Sequence, residues 1–124
     1  MKRNKILFAD DDEIVRKLQQ RIFQTKFPEY ALEQFEDGTS LKNCLEGEVG
    51  DVALVVTDNE MLGISGTEII RQYARVKSFP FILVYGGEMK IGEQDVKDGA
   101  FGFLQKPFQP DKYRDMVNMA LTSR

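Results

Sequence analysis

Asp10, Asp11 and Asp12 stand in an unbroken row and are followed by Glu13. A further aspartate, Asp58, closes an apolar stretch, and Lys106 lies just ahead of Pro107 and Phe108. Carboxylates in this arrangement either solvate separately or converge on a cation. Two of them ~4 Å apart repel by ~4 kcal/mol at an effective dielectric of about 20. Convergence therefore needs a bound cation or a shared proton. The sequence contains no histidine, which removes Ser-His-Asp and Cys-His catalysis and any histidine-ligated zinc. A metal at these acids takes oxygen ligands, which selects Mg²⁺, Mn²⁺ or Ca²⁺. Mg²⁺ keeps water positions open for a phosphate, and a lysine adds a point charge for an anion. That combination, with one spare carboxylate, suits in-line phosphoryl transfer onto the carboxylate.

Whether these residues meet depends on the elements that carry them. Ile6, Leu7, Phe8 and Ala9 form a continuous apolar run, the pattern of a strand buried on both faces. Ile14, Val15, Leu18, Ile22 and Phe23 then recur at helical spacing up to Pro28, with Asp12 as N-cap and Glu13 at the positive helix end. Residues 30–35 alternate weakly as a second strand, and a short helix runs from near Thr39 or Ser40 to about Glu46, ended by Gly47 and Gly50. A second apolar run, 52–56, leads to Thr57 and Asp58. Past Gly63 and Gly66 a helix carries Ile69, Ile70, Tyr73, Ala74 and Val76, and Phe79-Pro80 turns the chain back. The third apolar run, 81–85, stops at Gly86-Gly87. A weak helix from Met89 to about Lys97, a turn at Asp98-Gly99, a strand over 101–104 and an amphipathic helix from Phe108 to Leu121 complete the chain.

Strand and helix alternate five times, which predicts an α/β fold with a parallel sheet covered by helices on both faces. Ligands of such sheets bind beyond the carboxyl ends of the strands. Those ends are Asp10-Asp11-Asp12, Asp58, Tyr85-Gly86-Gly87 and Gln105-Lys106-Pro107. Three acids and one lysine thus converge on one rim. Each piece alone is ordinary, since acids begin many helices and aspartate sits in many turns.

Composition narrows the classes. A chain of 124 residues, 42% hydrophobic and 30% charged, fits one soluble domain. Its net charge of -3 gives no footprint for nucleic acid or an anionic membrane. Cys44 is the sole cysteine, lies in a polar segment and can form no internal disulfide. The apolar stretch after the basic start is too short for a signal peptide or a span, so a cytoplasmic protein is expected. Gly86-Gly87 lacks the rest of a dinucleotide or Walker motif, and the acidic first loop replaces the phosphate loop a flavin would need.

Three segments together carry a resemblance: Ile6-Leu7-Phe8-Ala9-Asp10-Asp11-Asp12-Glu13; Asp58-Asn59-Glu60-Met61-Leu62-Gly63-Ile64-Ser65-Gly66; and Gly99-Ala100-Phe101-Gly102-Phe103-Leu104-Gln105-Lys106-Pro107-Phe108. In this order and spacing the chain resembles the response-regulator receiver domains of two-component signalling along its whole length. The resemblance implies one receiver domain over 1–124, with a doubly wound, flavodoxin-like five-stranded parallel sheet in the order 2-1-3-4-5. It implies an acidic pair, Asp10 and Asp11, with Asp11 the closer ligand of Mg²⁺ (or Mn²⁺). Asp58 would be both phosphoacceptor and ligand, the Glu60 backbone carbonyl would complete coordination, and Lys106, ahead of a cis peptide bond to Pro107, would hold a phosphoryl oxygen.

The implied donor is a histidine kinase or histidine phosphotransfer protein, which itself supplies the histidine missing here. An unnamed downstream target receives the signal. Direct nucleic-acid binding and membrane insertion are not expected, nor is enzyme activity beyond hydrolysis of the chain's own phosphoryl group. A monomer or weak dimer is expected. The sequence departs from the family at Tyr85, where a small Ser or Thr switch residue is usual, at Leu62, usually proline, and at the switch aromatic Phe103, which lacks a hydroxyl. Tyr85 motivates a second reading, a receiver-shaped binding module with weak or no phosphorylation-dependent switching. A third is a Mg²⁺-dependent phosphatase with Asp10 as nucleophile and Asp12 as second acid, which needs a cap and motifs for which the chain has little room.

Overall fold

Apolar strands that can bury both faces belong in the middle of a sheet, and the three wholly apolar runs take those places. In a computed structural model, which describes residues 2–86 and 94–123, β1 (Lys5–Ala9), β3 (Val52–Asp58) and β4 (Phe81–Tyr85) are flanked by β2 (Ala31–Phe35) and β5 (Gly102–Gln105). The strands form one sheet in the order β2-β1-β3-β4-β5, and every pair is parallel. The expected architecture and strand order are thus found. Side chains alternate between two core layers. Ile6, Phe8, Ile82 and Val84 pack with Phe23, Phe27, Tyr113 and Val117 of one layer. Leu7, Ala9, Leu83 and Tyr85 pack with Leu41, Leu45, Ile69 and Ile70 of the other. Accordingly α1 (Glu13–Lys26) and the C-terminal helix (Pro110–Thr122) cover one face, and α2 (Gly38–Leu45) and α3 (Gly66–Tyr73) the other.

Helix starts follow local chemistry. The Asp12 side chain accepts from the Ile14 and Val15 amides, as expected, while Asp37 and Ser65 cap α2 and α3.

Several boundaries and faces differ from expectation. The C-terminal helix begins at Pro110 rather than Phe108. Proline disfavours helical backbone at the residue before it, here Gln109, while suiting the first helical position itself. Phe108 instead lays its ring 5.4 Å from that of Tyr113. β5 starts one residue later than expected, at Gly102, and includes Gln105. α3 stops at Tyr73, leaving Val76 outside it and 74% exposed. On α1, Ile14 and Leu18 are exposed although they belong to the apolar stripe, and Gln19 is buried. Gln19 faces inward because its side-chain oxygen accepts the hydrogen of the buried Tyr113 hydroxyl. Residues 94–97 are helical, and the rest of the expected helix, 89–93, lies outside the described residues.

The close approach that positions the rim is at Gly66. A Cβ there would stand 2.4 Å from the Asp58 carbonyl oxygen and 2.8 Å from the Leu83 side chain. The start of α3 can therefore sit directly on the end of β3 only without a side chain. Gly66→Ala is expected to destabilise the protein by about 1–3 kcal/mol, the usual range for forced overpacking. Chemical denaturation measures it, and an unchanged midpoint would show that α3 can back away freely.

Candidate functional site

Each strand end delivers its group through the backbone ladder. The Asp10 amide donates to the Phe35 carbonyl, Asn59 N–H to Val84, and Lys106 N–H to the Tyr85 carbonyl. Asp58 thus ends β3 itself, and the residues carrying Asp10 and Lys106 extend the ladder beyond their strands. The Asp10 loop has two further ties. Its own Oδ1 accepts from the Asp12 amide at 2.9 Å, and the Arg16 guanidinium donates to the Asp10 carbonyl at 2.9 Å. Arg16 also faces Glu36 at 3.7 Å. Sequence reading assigned Arg16 no role, because an arginine on an amphipathic helix ordinarily faces water.

Asp10 and Asp58 are buried, and Asp11 is exposed at the mouth. One carboxylate oxygen from each of the three lies within 4.8 Å of the others. The Lys106 ammonium sits 3.0 Å from Asp58 Oδ1 and 3.6 Å from Asp10 Oδ2. A cleft of about 420 Å³ opens here, lined by the acids Asp10, Asp11, Asp12 and Asp58 together with Glu60 and Lys106, among others. Asp12 lines it while spending Oδ1 on the helix cap, at 2.8 Å from the Ile14 amide. That leaves Asp12 poorly placed as the second acid of a phosphatase.

The electrostatics follow from burial. Burial, with the charges of Asp10 and Asp11, pushes the Asp58 carboxyl up to about 6 against the opposing hydrogen bond of Lys106. Burial likewise raises Asp10, opposed by the Asp12 amide and the Lys106 charge. Burial alone would lower Lys106, but hydrogen bonds and charge from Asp58 and Asp10 outweigh it and raise it overall. Among the described residues one lysine thus faces the carboxylates of an oxygen-rich cleft of net negative charge. That is the donor set of a hard divalent cation, so the residues fit Mg²⁺ or Mn²⁺.

Tyr85 and Phe103 stand apart from this cleft. Tyr85 does not line it and does not lie at a sheet edge, since β4 is an interior strand. Its ring is fully buried in the layer beneath α3, tilted against Phe103 with centroids 5.9 Å apart. Lys106-Pro107 is a cis peptide bond. Asn59, quoted in the sequence motif without a role, caps α3 by accepting the Thr67 amide at 2.9 Å.

Comparison with known proteins gives a concordant picture. The family model for the response regulator receiver domain matches residues 6–118. The C4-dicarboxylate transport transcriptional regulatory protein DctD of Pseudomonas aeruginosa is 40% identical over 73 residues, 57% of this chain and 16% of that protein. The transcriptional regulatory protein FixJ of Bradyrhizobium diazoefficiens is 32% identical over 89 residues, 70% of this chain and 42% of its own length. The chain thus spans less than half the length of each of these relatives. Among solved structures, a response regulator receiver domain protein from Clostridium thermocellum superposes with a TM-score of 0.82 at 24% identity, over 97% of this chain and 95% of its own. Another, from Methanospirillum hungatei, gives 0.84 at 20% identity over 97% and 94%.

The raised Asp58 carboxyl makes stability depend on pH. The unfolded chain releases that proton near the ordinary value of 3.8, the native state near 6. Native Asp58 therefore binds the proton more tightly, and the metal-free protein loses stability as pH rises through this window. Asp58→Asn carries no such penalty. In chelator at pH 7.5 it is expected to be more stable than wild type by about 1–3 kcal/mol, at ~1.4 kcal/mol per pKa unit and allowing for the lost lysine pair. Urea unfolding should show this advantage vanish below about pH 4, and equal stabilities at pH 7.5 would refute it.

Proposed function

This chain belongs to the response regulator receiver domain family, the phosphoacceptor modules of two-component signalling, and on that premise we propose that Asp58 is its phosphoacceptor. The observation that carries the reading is the pairing of buried Asp58 with Lys106 at 3.0 Å, inside a cleft where Asp10 and Asp11 bring further carboxylate oxygens within 4.8 Å. An ionised Asp58 oxygen attacks phosphorus, and the bond from phosphorus to the donor's leaving atom breaks in line. Lys106 holds the carboxylate in place before transfer and meets the phosphoryl oxygens after it. A Mg²⁺ or Mn²⁺ held by Asp10, Asp11, Asp58 and the Glu60 backbone carbonyl supplies the charge neutralisation that lets an anionic phosphoryl group enter.

Receiver domains work with histidine kinases and downstream targets. For this chain we assign a histidine kinase or a histidine phosphotransfer protein as donor, with chemistry limited to its own phosphorylation and dephosphorylation. All of 1–124 is read as one receiver domain. Among the described residues no helix is long and apolar enough to cross a membrane, and a cytoplasmic location suits the donor.

Acetyl phosphate with Mg²⁺, followed by intact-mass measurement, tests the assignment. Wild type should gain one phosphoryl group and Asp58→Asn none. Lys106→Ala should label at least tenfold more slowly while keeping its melting temperature within a few degrees, because the buried Asp10 and Asp58 carboxyls, both already raised, can share a proton in place of the lost ion pair. Asp11→Asn should weaken divalent-ion binding by titration. Full labelling of Asp58→Asn would move the acceptor elsewhere, and unchanged ion affinity in Asp11→Asn would remove that ligand.

Tyr85 and Phe103 are the proposed switch pair, supported by the contact of their rings in the core beside the cleft. A ring of this size repacks in steps rather than sliding. Tyr85→Thr should lower stability by about 3–5 kcal/mol, as large-to-small core changes do. It should also enlarge the phosphorylation-dependent NMR shifts over residues 94–97 and β5. An unaltered response would make Tyr85 a packing residue only.

A further inference from the structure

Asp95 is a fully buried carboxyl group in the helical stretch 94–97, outside the acidic cleft. Its Oδ1 is buried and has no hydrogen-bond partner among the described residues, and its Oδ2 lies 3.3 Å from the Thr67 hydroxyl oxygen. A buried carboxylate in that position would be an uncompensated charge, whereas a neutral acid would leave only a carbonyl lone pair unsatisfied.

The hydrogen inventory decides between the two. The Thr67 backbone N–H donates to Asn59 Oδ1 at 2.9 Å, which identifies that atom as the amide oxygen, an acceptor only. The Thr67 hydroxyl oxygen lies 2.6 Å from the same atom. Two oxygens that close need a hydrogen between them, and the amide oxygen has none to give. The single hydroxyl hydrogen of Thr67 is therefore committed to Asn59. The contact at 3.3 Å between the Thr67 hydroxyl and Asp95 Oδ2 then has no hydrogen unless Asp95 brings its own.

We infer that Asp95 is a proton-dependent positioning residue: as a neutral acid it donates to the Thr67 hydroxyl, which donates to Asn59, the residue that follows the phosphoacceptor. The charged surroundings agree. Arg71 of α3 is engaged by Glu68 at 2.7 Å and Asp98 at 3.8 Å. Burial, and after it the like charge of Asp98 following the same helical stretch, raises the Asp95 carboxyl to about 6, against the Arg71 charge. Asn59 in turn takes the Gly66 amide on its carbonyl and gives its own N–H to Val84. The relay thus fastens the 94–97 stretch to the joint of β3, β4 and α3. When Asp95 loses its proton, an anion faces the lone pairs of the Thr67 hydroxyl and the link opens.

The proton assignment stands on hydrogen-bond geometry, and its bearing on phosphorylation rests on Asp58 being the acceptor. The test is an NMR pH titration of the metal-free full chain from about pH 5 to 8, reading the Asp95 side-chain carboxyl carbon and the Thr67 amide. In wild type both should move with one midpoint, near 6. Asp95→Asn keeps a neutral donor and should hold the Thr67 amide at its acid-side position throughout. Asp95→Ala removes the donor and should hold it away from that position. Asp58→Asn should leave the Thr67 midpoint in place, which separates it from titration in the cleft. A Thr67 amide that does not titrate in wild type, or one that still titrates in Asp95→Asn, overturns the inference. Failure of acetyl phosphate to label the wild-type protein would instead count against the phosphoacceptor reading and would leave these titrations unaffected.

Discussion

Buried Asp10 and Asp58 face the same ammonium, Lys106, with exposed Asp11 at the mouth. Like charges at such distances repel, and burial strengthens the repulsion because water no longer screens it. Burial first, and repulsion from the neighbouring acids second, displaces the Asp58 and Asp10 carboxyls upward. The divalent cation proposed for this cleft would offset those charges, and a phosphoryl group would follow it in.

The rest of the architecture keeps those charges from escaping one another. A carboxylate on a loose loop would swing into solvent. Here Asp58 ends β3 and Asp10 and Lys106 follow directly on β1 and β5, and the ladder continues from Asp10, Asn59 and Lys106 to the Phe35, Val84 and Tyr85 carbonyls. Arg16 adds a tie on the Asp10 carbonyl. Gly66 lets α3 pack onto the Asp58 backbone without a side chain in between. Repulsion is thus resisted by backbone hydrogen bonds and close packing, distributed over elements far apart in the chain.

Two lines of contact lead away from the cleft. Lys106 donates its backbone N–H to the Tyr85 carbonyl, and the Tyr85 ring meets Phe103 in the layer under α3. Asn59 leads through Thr67 to Asp95. Both end on the same side of the molecule, at β5 and the 94–97 stretch. Asp58 is therefore joined to that side by two lines of contact, one of aromatic packing and one of hydrogen bonds.

The sequence by itself determined the α/β class, the central strands and the rim on which Asp10, Asp58 and Lys106 gather. Those features rest on local signals: runs apolar on both faces, a capping aspartate, and acids placed at strand ends. Family resemblance added the strand order and the roles proposed for the site residues. Only the tertiary structure decided the remainder. That Tyr85 lies wholly inside an interior strand layer depends on which helix covers its face. The inward turn of Gln19 depends on the Tyr113 hydroxyl, 94 positions away, and the exposure of Ile14 and Leu18 shows that a stripe wider than the contact leaves some apolar residues in water. Asp95 reads in sequence as one more acid on a weak helix. Its burial and its hydrogen partner come from Thr67 and Asn59, brought near by a fold whose contacts no local pattern encodes, because periodicity reports which face of an element is apolar and not what that face will meet.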